Sequence, residues 1–123
     1  MYLLDTNILI YYTKNDQIVV KTLEHWITTE EVVATSTIVE AELLSYLAIS
    51  AKEIALIDVA LSPLLLFAVD SQVARYAAAI RRQHGLQLAD AMIAATALLH
   101  AAVLVTRNVT DFKKIIGLEL VKI

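Results

Sequence analysis

The amino-acid sequence predicts an α/β fold: a five-stranded parallel sheet covered on both faces by helices. Three observations carry that prediction. Short β-branched or leucine-rich runs alternate with longer helical segments, as repeated strand–helix–strand crossovers require. Apolar residues make up 59% of the chain, above the ~45–50% of ordinary globular sequences, and such a surplus suits strands buried on both faces. Two glycines, one proline and 19% charged residues leave little material for linkers or disorder. The length, 123 residues, fits one domain spanning 1–123.

Taken in order, Tyr2 to Leu4 is a buried strand that ends at Asp5 and opens into a helix at Thr6-Asn7. From Gln17 to Thr28, apolar residues at 18, 19, 23, 26 and 27 follow a 3.6 period and predict an amphipathic helix. Val32 to Ala34 is a short strand, and Thr35-Ser36-Thr37 supplies caps for a helix over Ile38 to Ile49. Ala51 to Leu61 is a further helix, halted by Ser62-Pro63 because proline cannot continue the ladder. Leu64 to Val69, six apolar residues between Pro63 and Asp70, is expected as a fully buried strand.

Ser71 to His84 is a helix ended by Gly85, where a left-handed residue costs little. Leu88 to Ala102 is helical, Val103 to Val105 is a strand, and T-R-N-V-T-D-F leads through a short helix ending near Gly117. Leu118 to Ile123 is the last strand.

Composition also narrows the function classes. No cysteine is present, so disulfides play no part and a reducing cytoplasm is the expected location. Mean hydropathy is +0.66, yet the longest apolar stretch, Ala91 to Val105, is 15 residues and includes His100, short of the ~20 a spanning helix needs. The opening MYLLDTN has no basic leader before an apolar stretch, so no signal peptide and no membrane association are expected. Net charge is −3, without the basic footprint of a protein that holds nucleic acid by charge alone. Any nucleic-acid contact would then be local or metal-mediated, the local candidates being Arg75, Arg81 and Arg82 in one segment and Arg107, Lys113 and Lys114 in another.

The chemistry gathers where strands end, since ligands of open parallel sheets sit beyond the carboxyl ends of their strands. Asp5 closes the first strand, and Asn108 and Asp111 follow the fourth. Asp5 could equally serve as a helix cap, and Asn108 and Asp111 as capping residues of the short helix. Asp90 is the only charged side chain between Arg82 and Arg107 when histidines are neutral, and a carboxylate in such apolar company calls for a compensating partner. Glu40 and Glu42 share another mostly apolar helix, and periodicity does not choose between them. Several carboxylates on one face repel unless a hard cation holds them, and an all-oxygen set suits Mg²⁺ or Mn²⁺. Zinc fits poorly, because cysteine is absent and His25, His84 and His100 lack ligand spacing. A carboxylate-held Mg²⁺ points to phosphodiester hydrolysis. No phosphate-cradling glycine loop or nucleophile triad competes. An aspartyl-phosphate mechanism needs a second Asp two residues after the first, where this chain has Asn7.

Four segments in order, L-L-D-T-N-I-L-I at the start, V-E-A-E-L-L in the middle, then H-G-L-Q-L-A-D-A-M-I-A-A-T-A-L and L-V-T-R-N-V-T-D-F, carry a family likeness. The chain resembles the PIN-domain ribonucleases, in particular VapC-type toxins of toxin–antitoxin pairs, from Met1 almost to Ile123. The resemblance implies a three-layer α/β/α fold and an acidic Mg²⁺ site, with Mn²⁺ as substitute, made by Asp5, Glu42, Asp90 and Asp111. It thereby selects Glu42 over Glu40. It implies that Thr6, Asn7, Thr106 and Asn108 orient those acids, with Asn108 and Asp111 as alternatives for the group nearer the metal. It also implies an RNA substrate, a cognate antitoxin and a homodimer, to which Trp26, Tyr46, Leu47, Ile49 and Ile57 could offer an apolar patch. The competing expectation is a non-catalytic module that binds protein or RNA and keeps the acids for structure.

Overall fold

The computed structural model describes residues 1–123 as five strands and seven helices. In chain order they are β1 (Tyr2–Leu4), α1 (Thr6–Thr13), α2 (Gln17–Thr28), β2 (Val33–Ser36), α3 (Thr37–Leu44), α4 (Ala51–Leu61), β3 (Leu65–Phe67), α5 (Ser71–His84), α6 (Leu88–Leu99), β4 (Val103–Val105), α7 (Val109–Phe112) and β5 (Leu120–Val121). All strand pairings are parallel, in the order β3-β2-β1-β4-β5, giving the α/β/α arrangement expected. No helix is long and apolar enough to cross a membrane.

The order of strands positions the chemistry. β1 lies at the centre, with Leu3 opposite Ala34 of β2 and Leu4 opposite Val105 of β4. The residues just beyond those ends, Asp5 and Thr106, therefore emerge side by side. The Asp5 amide still donates to Val105 O at 3.2 Å, and the buried Thr35 hydroxyl donates to Leu4 O at 2.9 Å, which fixes β2 against the same edge. Around this sheet, Leu3, Leu4, Ile8, Leu9, Val39, Leu43, Ile93 and Leu104 are almost wholly excluded from solvent. Burial on that scale stabilises by ~1.5–3 kcal/mol per large side chain.

Helix α2 runs over the residues its periodicity predicts, with Asp16 capping it through Val19 N at 3.2 Å. α4 and α5 likewise match, the latter closing on Gly85 at φ 71°. Elsewhere the boundaries differ for identifiable reasons. α3 stops at Leu44, not Ile49, because the Ser45 hydroxyl donates to Glu42 O at 2.8 Å and a new cap forms downstream. There Glu53 N donates to Ser50 Oγ at 3.1 Å while Ser50 N donates to Glu53 Oε1 at 3.2 Å, a reciprocal capping box.

α6 ends at Leu99 instead of Ala102 because Ala101 turns left-handed, at φ 49°. Ala102 N then donates to Ala97 O and Ala101 N to Leu98 O, closing the helix as a Schellman turn without glycine. β2 runs two residues further than expected, since Thr35 and Ser36 continue its pairing with β3. β5 pairs only through Leu120 and Val121, and α7 is a single turn of four residues.

Strand β3 overturns the expectation of a fully buried strand. It covers only three residues and lies at the sheet edge, leaving Leu65 48% and Leu66 40% exposed. The expected interface patch is also split. Trp26 stacks on Tyr2 with ring centroids 3.9 Å apart, and Ile57 is buried, while Tyr46 and Leu47 stand in solvent.

Candidate active site

Asp5 fulfils both readings open to it. Its Oδ1 accepts from Ile8 N at 2.9 Å as the cap of α1, and its carboxyl faces a cavity at the sheet's edge. Burial is the main cause that pushes its pKa above the ordinary value, with repulsion from Glu42 adding to it. Hydrogen bonding from Thr106, Ile8 and Asn7 pulls in the other direction and loses.

Glu42 reaches the same cavity from α3, and the Thr6 hydroxyl in the first turn of α1 donates to its Oε1 at 2.6 Å. Such a short bond to a charged acceptor fixes the carboxylate's rotamer. Glu40 lines no part of this cavity and forms no ion pair.

Asp90 enters from the first turn of α6. Of the compensating partners expected from sequence, no protein cation pairs with it. Its pKa is raised first by burial and then by Glu42, Asp5 and Asp111, so its charged neighbours are acids. Asp5, Glu42 and Asp111 thus all act on Asp90 with charge of its own sign.

Asp111 belongs to this group electrostatically but stands apart geometrically. Its Oδ2 accepts from Asn108 Nδ2 at 2.9 Å, and Asn108 N donates to Thr106 Oγ1 at 3.0 Å. Asn108 thus links Asp111 to Thr106, which emerges beside Asp5 at the paired ends of β4 and β1. The cavity itself, about 360 Å³, is walled by Asp5, Thr6, Asn7, Glu42, Gln87 and Asp90, with Ile10, Ser45 and Tyr46 at its margin. Asp111, Asn108 and Thr106 do not line it.

The donor set can be tested against a metal. No three acidic or imidazole side chains converge tightly enough to enclose an ion by themselves. That excludes a preformed protein cage of the kind structural zinc or calcium occupies. Mg²⁺ asks for less, since it keeps several waters and is held by one or two carboxylates together with substrate phosphates. The open, all-oxygen cavity with two carboxyls of raised pKa fits that requirement.

Among the expected RNA-contacting residues, Arg81 and Arg82 are exposed in the last turn of α5, and Lys113 is exposed just after α7. Arg107 is differently disposed: its Nε donates to Ile123 O at 2.8 Å and its Nη1 to Asp16 Oδ2 at 3.1 Å, with the guanidinium 4.4 Å from the Tyr11 ring centre. Sequence reasoning missed Gln87 and Ser45 as cavity residues. Gln87 occupies the cap position of α6 without making a capping bond, and its place two residues after Gly85 was the available signal. Across Ile10 and Tyr46 the cavity adjoins an apolar groove of about 390 Å³ formed with Leu43, Ile49, Leu56 and Ile57.

The PIN domain family model matches residues 2–118. None of the curated proteins is similar enough to count as a match. Among solved structures, a chain of VapBC2 from Rickettsia felis, bound to a DNA fragment from its promoter, is 28% identical with a TM-score of 0.88, covering 99% of this chain and 98% of that one. A chain of a toxin-antitoxin complex from Klebsiella pneumoniae is 33% identical with a TM-score of 0.79, over 98% of this chain and 96% of that one. A chain of DNA-bound VapBC from Salmonella typhimurium is 25% identical with a TM-score of 0.84, again over 98% and 96%.

Proposed function

This chain belongs to the PIN domain family, and from that premise we propose that it is a Mg²⁺-dependent endoribonuclease, the toxin of a type II toxin–antitoxin pair. The observation that carries the reading is that Asp5, Glu42 and Asp90 wall one cavity beyond the carboxyl end of the central strand, with Asp111 as a further acidic neighbour and no protein cation paired to them. Mutual repulsion and burial make that arrangement costly for the apo fold, and a bound divalent cation would relieve both.

In this reading Asp5, Glu42 and Asp90 hold the metal, directly or through its waters, and Asp111 supports them through Asn108 and Thr106. Mg²⁺, or Mn²⁺ in its place, supplies charge neutralisation at the scissile phosphate and a more acidic attacking water. Thr6 holds the Glu42 carboxylate in position before substrate arrives. Asn7 and Gln87 offer neutral amides at the cavity wall, where a phosphate oxygen can accept a hydrogen bond. Arg81, Arg82 and Lys113 are exposed cations suited to the RNA backbone.

The partners follow the same reading. The apolar groove beside the acidic cavity suits an amphipathic helix of a cognate antitoxin, in keeping with the toxin-antitoxin complexes that this chain resembles. Exposed Tyr46 and Leu47 are available to that partner or to a second copy in a homodimer. The cytoplasm, where such RNA is found, is the expected compartment.

The test incubates purified protein with a mixture of structured RNAs in Mg²⁺, Mn²⁺ or EDTA, with Asp90→Asn as control. Cleavage that needs both the ion and Asp90 supports the nuclease. A well-folded wild type that binds RNA or a partner protein but never cuts would replace it with the binding-module reading. A finer outcome concerns Thr6→Val, which removes the donor to Glu42 at nearly constant volume. Its cleavage rate is expected to fall roughly 10–100-fold, with a higher Mg²⁺ requirement in a metal titration and little change in thermal midpoint.

A further inference from the structure

Arg107 lies between two residues that organise the acidic site, yet its own side chain points into the fold. On its flanks, Thr106 stands beside Asp5 at the paired ends of β4 and β1, and Asn108 holds Asp111 Oδ2. The Thr106 and Asn108 positions are coupled, because Asn108 N donates to Thr106 Oγ1. The guanidinium uses three separate contacts: Nη1 to Asp16 Oδ2 at 3.1 Å, Nε to Ile123 O at 2.8 Å, and its face over Tyr11 at 4.4 Å. Tyr11 belongs to α1, the helix that starts at Asp5, and Asp16 is the cap of α2. Ile123 lies just beyond β5, which pairs with β4.

From this geometry we infer that Arg107 is a positioning residue, clamping the turn after β4 to the α1–α2 joint and so setting Asn108 and Asp111 against Asp5. The physical reason lies in the division of labour along that turn: Phe112 and Ile115 anchor the far end of α7 in the core, and Arg107 ties down its entry. The helix is one turn long and has no side-chain cap, and helices so short are unstable alone. An arginine fork can satisfy a carboxylate and a carbonyl in one plane while stacking on a ring, which lysine cannot. With those contacts made, the guanidinium is largely withdrawn from solvent, its side chain 29% exposed, and its Nε and Nη1 are already engaged within the fold. This inference rests on the nuclease reading for its kinetic consequence but not for its structural one.

A double-mutant cycle separates the clamp from an RNA contact. Asp16 does not line the acidic cavity, and Asp16→Asn keeps the cap of α2 because asparagine caps as well as aspartate. Arg107→Ala is expected to lower kcat roughly 10-fold with KM nearly unchanged, Arg107→Lys to restore part of it, and Asp16→Asn to lower kcat by a smaller factor. The double variant Asp16→Asn with Arg107→Ala should be no worse than Arg107→Ala alone, since the two residues act as one unit. Amide exchange at Asn108 should quicken in both single variants, a readout that needs neither RNA nor metal. The clamp is overturned if Arg107→Ala raises KM with kcat intact and lowers the salt slope by about one phosphate contact, with Asp16→Asn silent. It is equally overturned if exchange at Asn108 stays at the wild-type rate. A wild type that cuts no RNA removes the nuclease reading, and the exchange measurement then decides the clamp by itself.

Discussion

Replacing Asp90 by Asn is expected to abolish RNA cleavage while making the metal-free protein more stable. The two effects share one cause. Asp90 is half-buried with Glu42, Asp5 and Asp111 as its charged neighbours, all of its own sign, so its ionised form opposes the fold. The neutral amide keeps the shape and removes the charge that Glu42, Asp5 and Asp111 oppose. Cleavage should drop on the order of 10²–10³-fold, the scale on which removal of one electrostatic stabiliser acts. In EDTA the thermal midpoint should rise, by a few degrees at most, because solvent screening at a half-exposed site limits the gain to about 1 kcal/mol. Adding Mg²⁺ should raise the wild-type midpoint and leave that of Asp90→Asn less affected. A variant that loses both activity and stability would mean that Asp90 supports the fold, and the reading of the cluster as a metal site would fail.

The pH dependence of that difference gives an independent sign. A carboxyl whose folded pKa exceeds its unfolded value binds more protons in the native state, so stability falls as pH rises through the folded pKa. Asp90 is such a group, with an ordinary value of 3.8. Below that value Asp90 is protonated in both states, and Asp90→Asn should match wild type. As pH climbs through the raised pKa, the advantage of the variant should open and then level off. Asp16 runs oppositely, its pKa lowered chiefly by the Arg107 hydrogen bond, and it is unchanged between the two proteins. Thermal melts in EDTA across the acid range measure the difference, and a gap that closed as pH rose would contradict the electrostatic account.

The parts of this structure legible from sequence are those governed by local signals. Helix α2 follows its 3.6 period, α4 ends where Ser62 and Pro63 stop it, and α5 ends on Gly85, each set within a few residues of its own boundary. The ends of α3 and α6 were not legible, because serine and alanine close them where no breaker stands: Ser45 by a hydroxyl bond, Ala101 by a left-handed turn. β3 was misjudged for a different reason. Its apolar run is compatible with either a central or an edge strand, and the order of strands is a tertiary property. The acids show the same division. Asp5 and Asp90 announce themselves by position and company, whereas helical periodicity leaves Glu40 and Glu42 equal. What brings Glu42 to the cavity is its contact with Thr6, 36 residues earlier in the chain. Gln87 carried no charge to draw notice, and only the meeting of α6 with α1 and α3 makes it a wall of the site.

The second large effect is expected at Phe112, next to Asp111 and outside the acidic cavity. α7 is four residues long, and a helix of that length has no stability of its own. Its anchorage in the core comes from Phe112, which is 1% exposed, together with Ile115 just beyond it. The neighbouring Lys113, Lys114 and Ile116 are exposed and add no comparable burial. Phe112→Ala removes the ring and leaves a cavity, at a cost of about 3–5 kcal/mol, a large part of the ~5–15 kcal/mol that holds a domain together. Denaturant melts should show that loss, whereas Phe112→Leu, which keeps most of the volume, should lose far less. The site should respond in a graded way. With its anchor gone, α7 loses the register that presents Asp111 to Asn108 at 2.9 Å, so Phe112→Ala should cut more slowly than wild type even below its melting range. Asp111→Asn separates the contributions: it removes the charge and leaves the anchor, and should reduce cleavage with little loss of stability. If Phe112→Ala were destabilised by less than about 1 kcal/mol, the core would be closing over the gap, and the anchoring role assigned to the aromatic of N-x-x-D-F would be wrong.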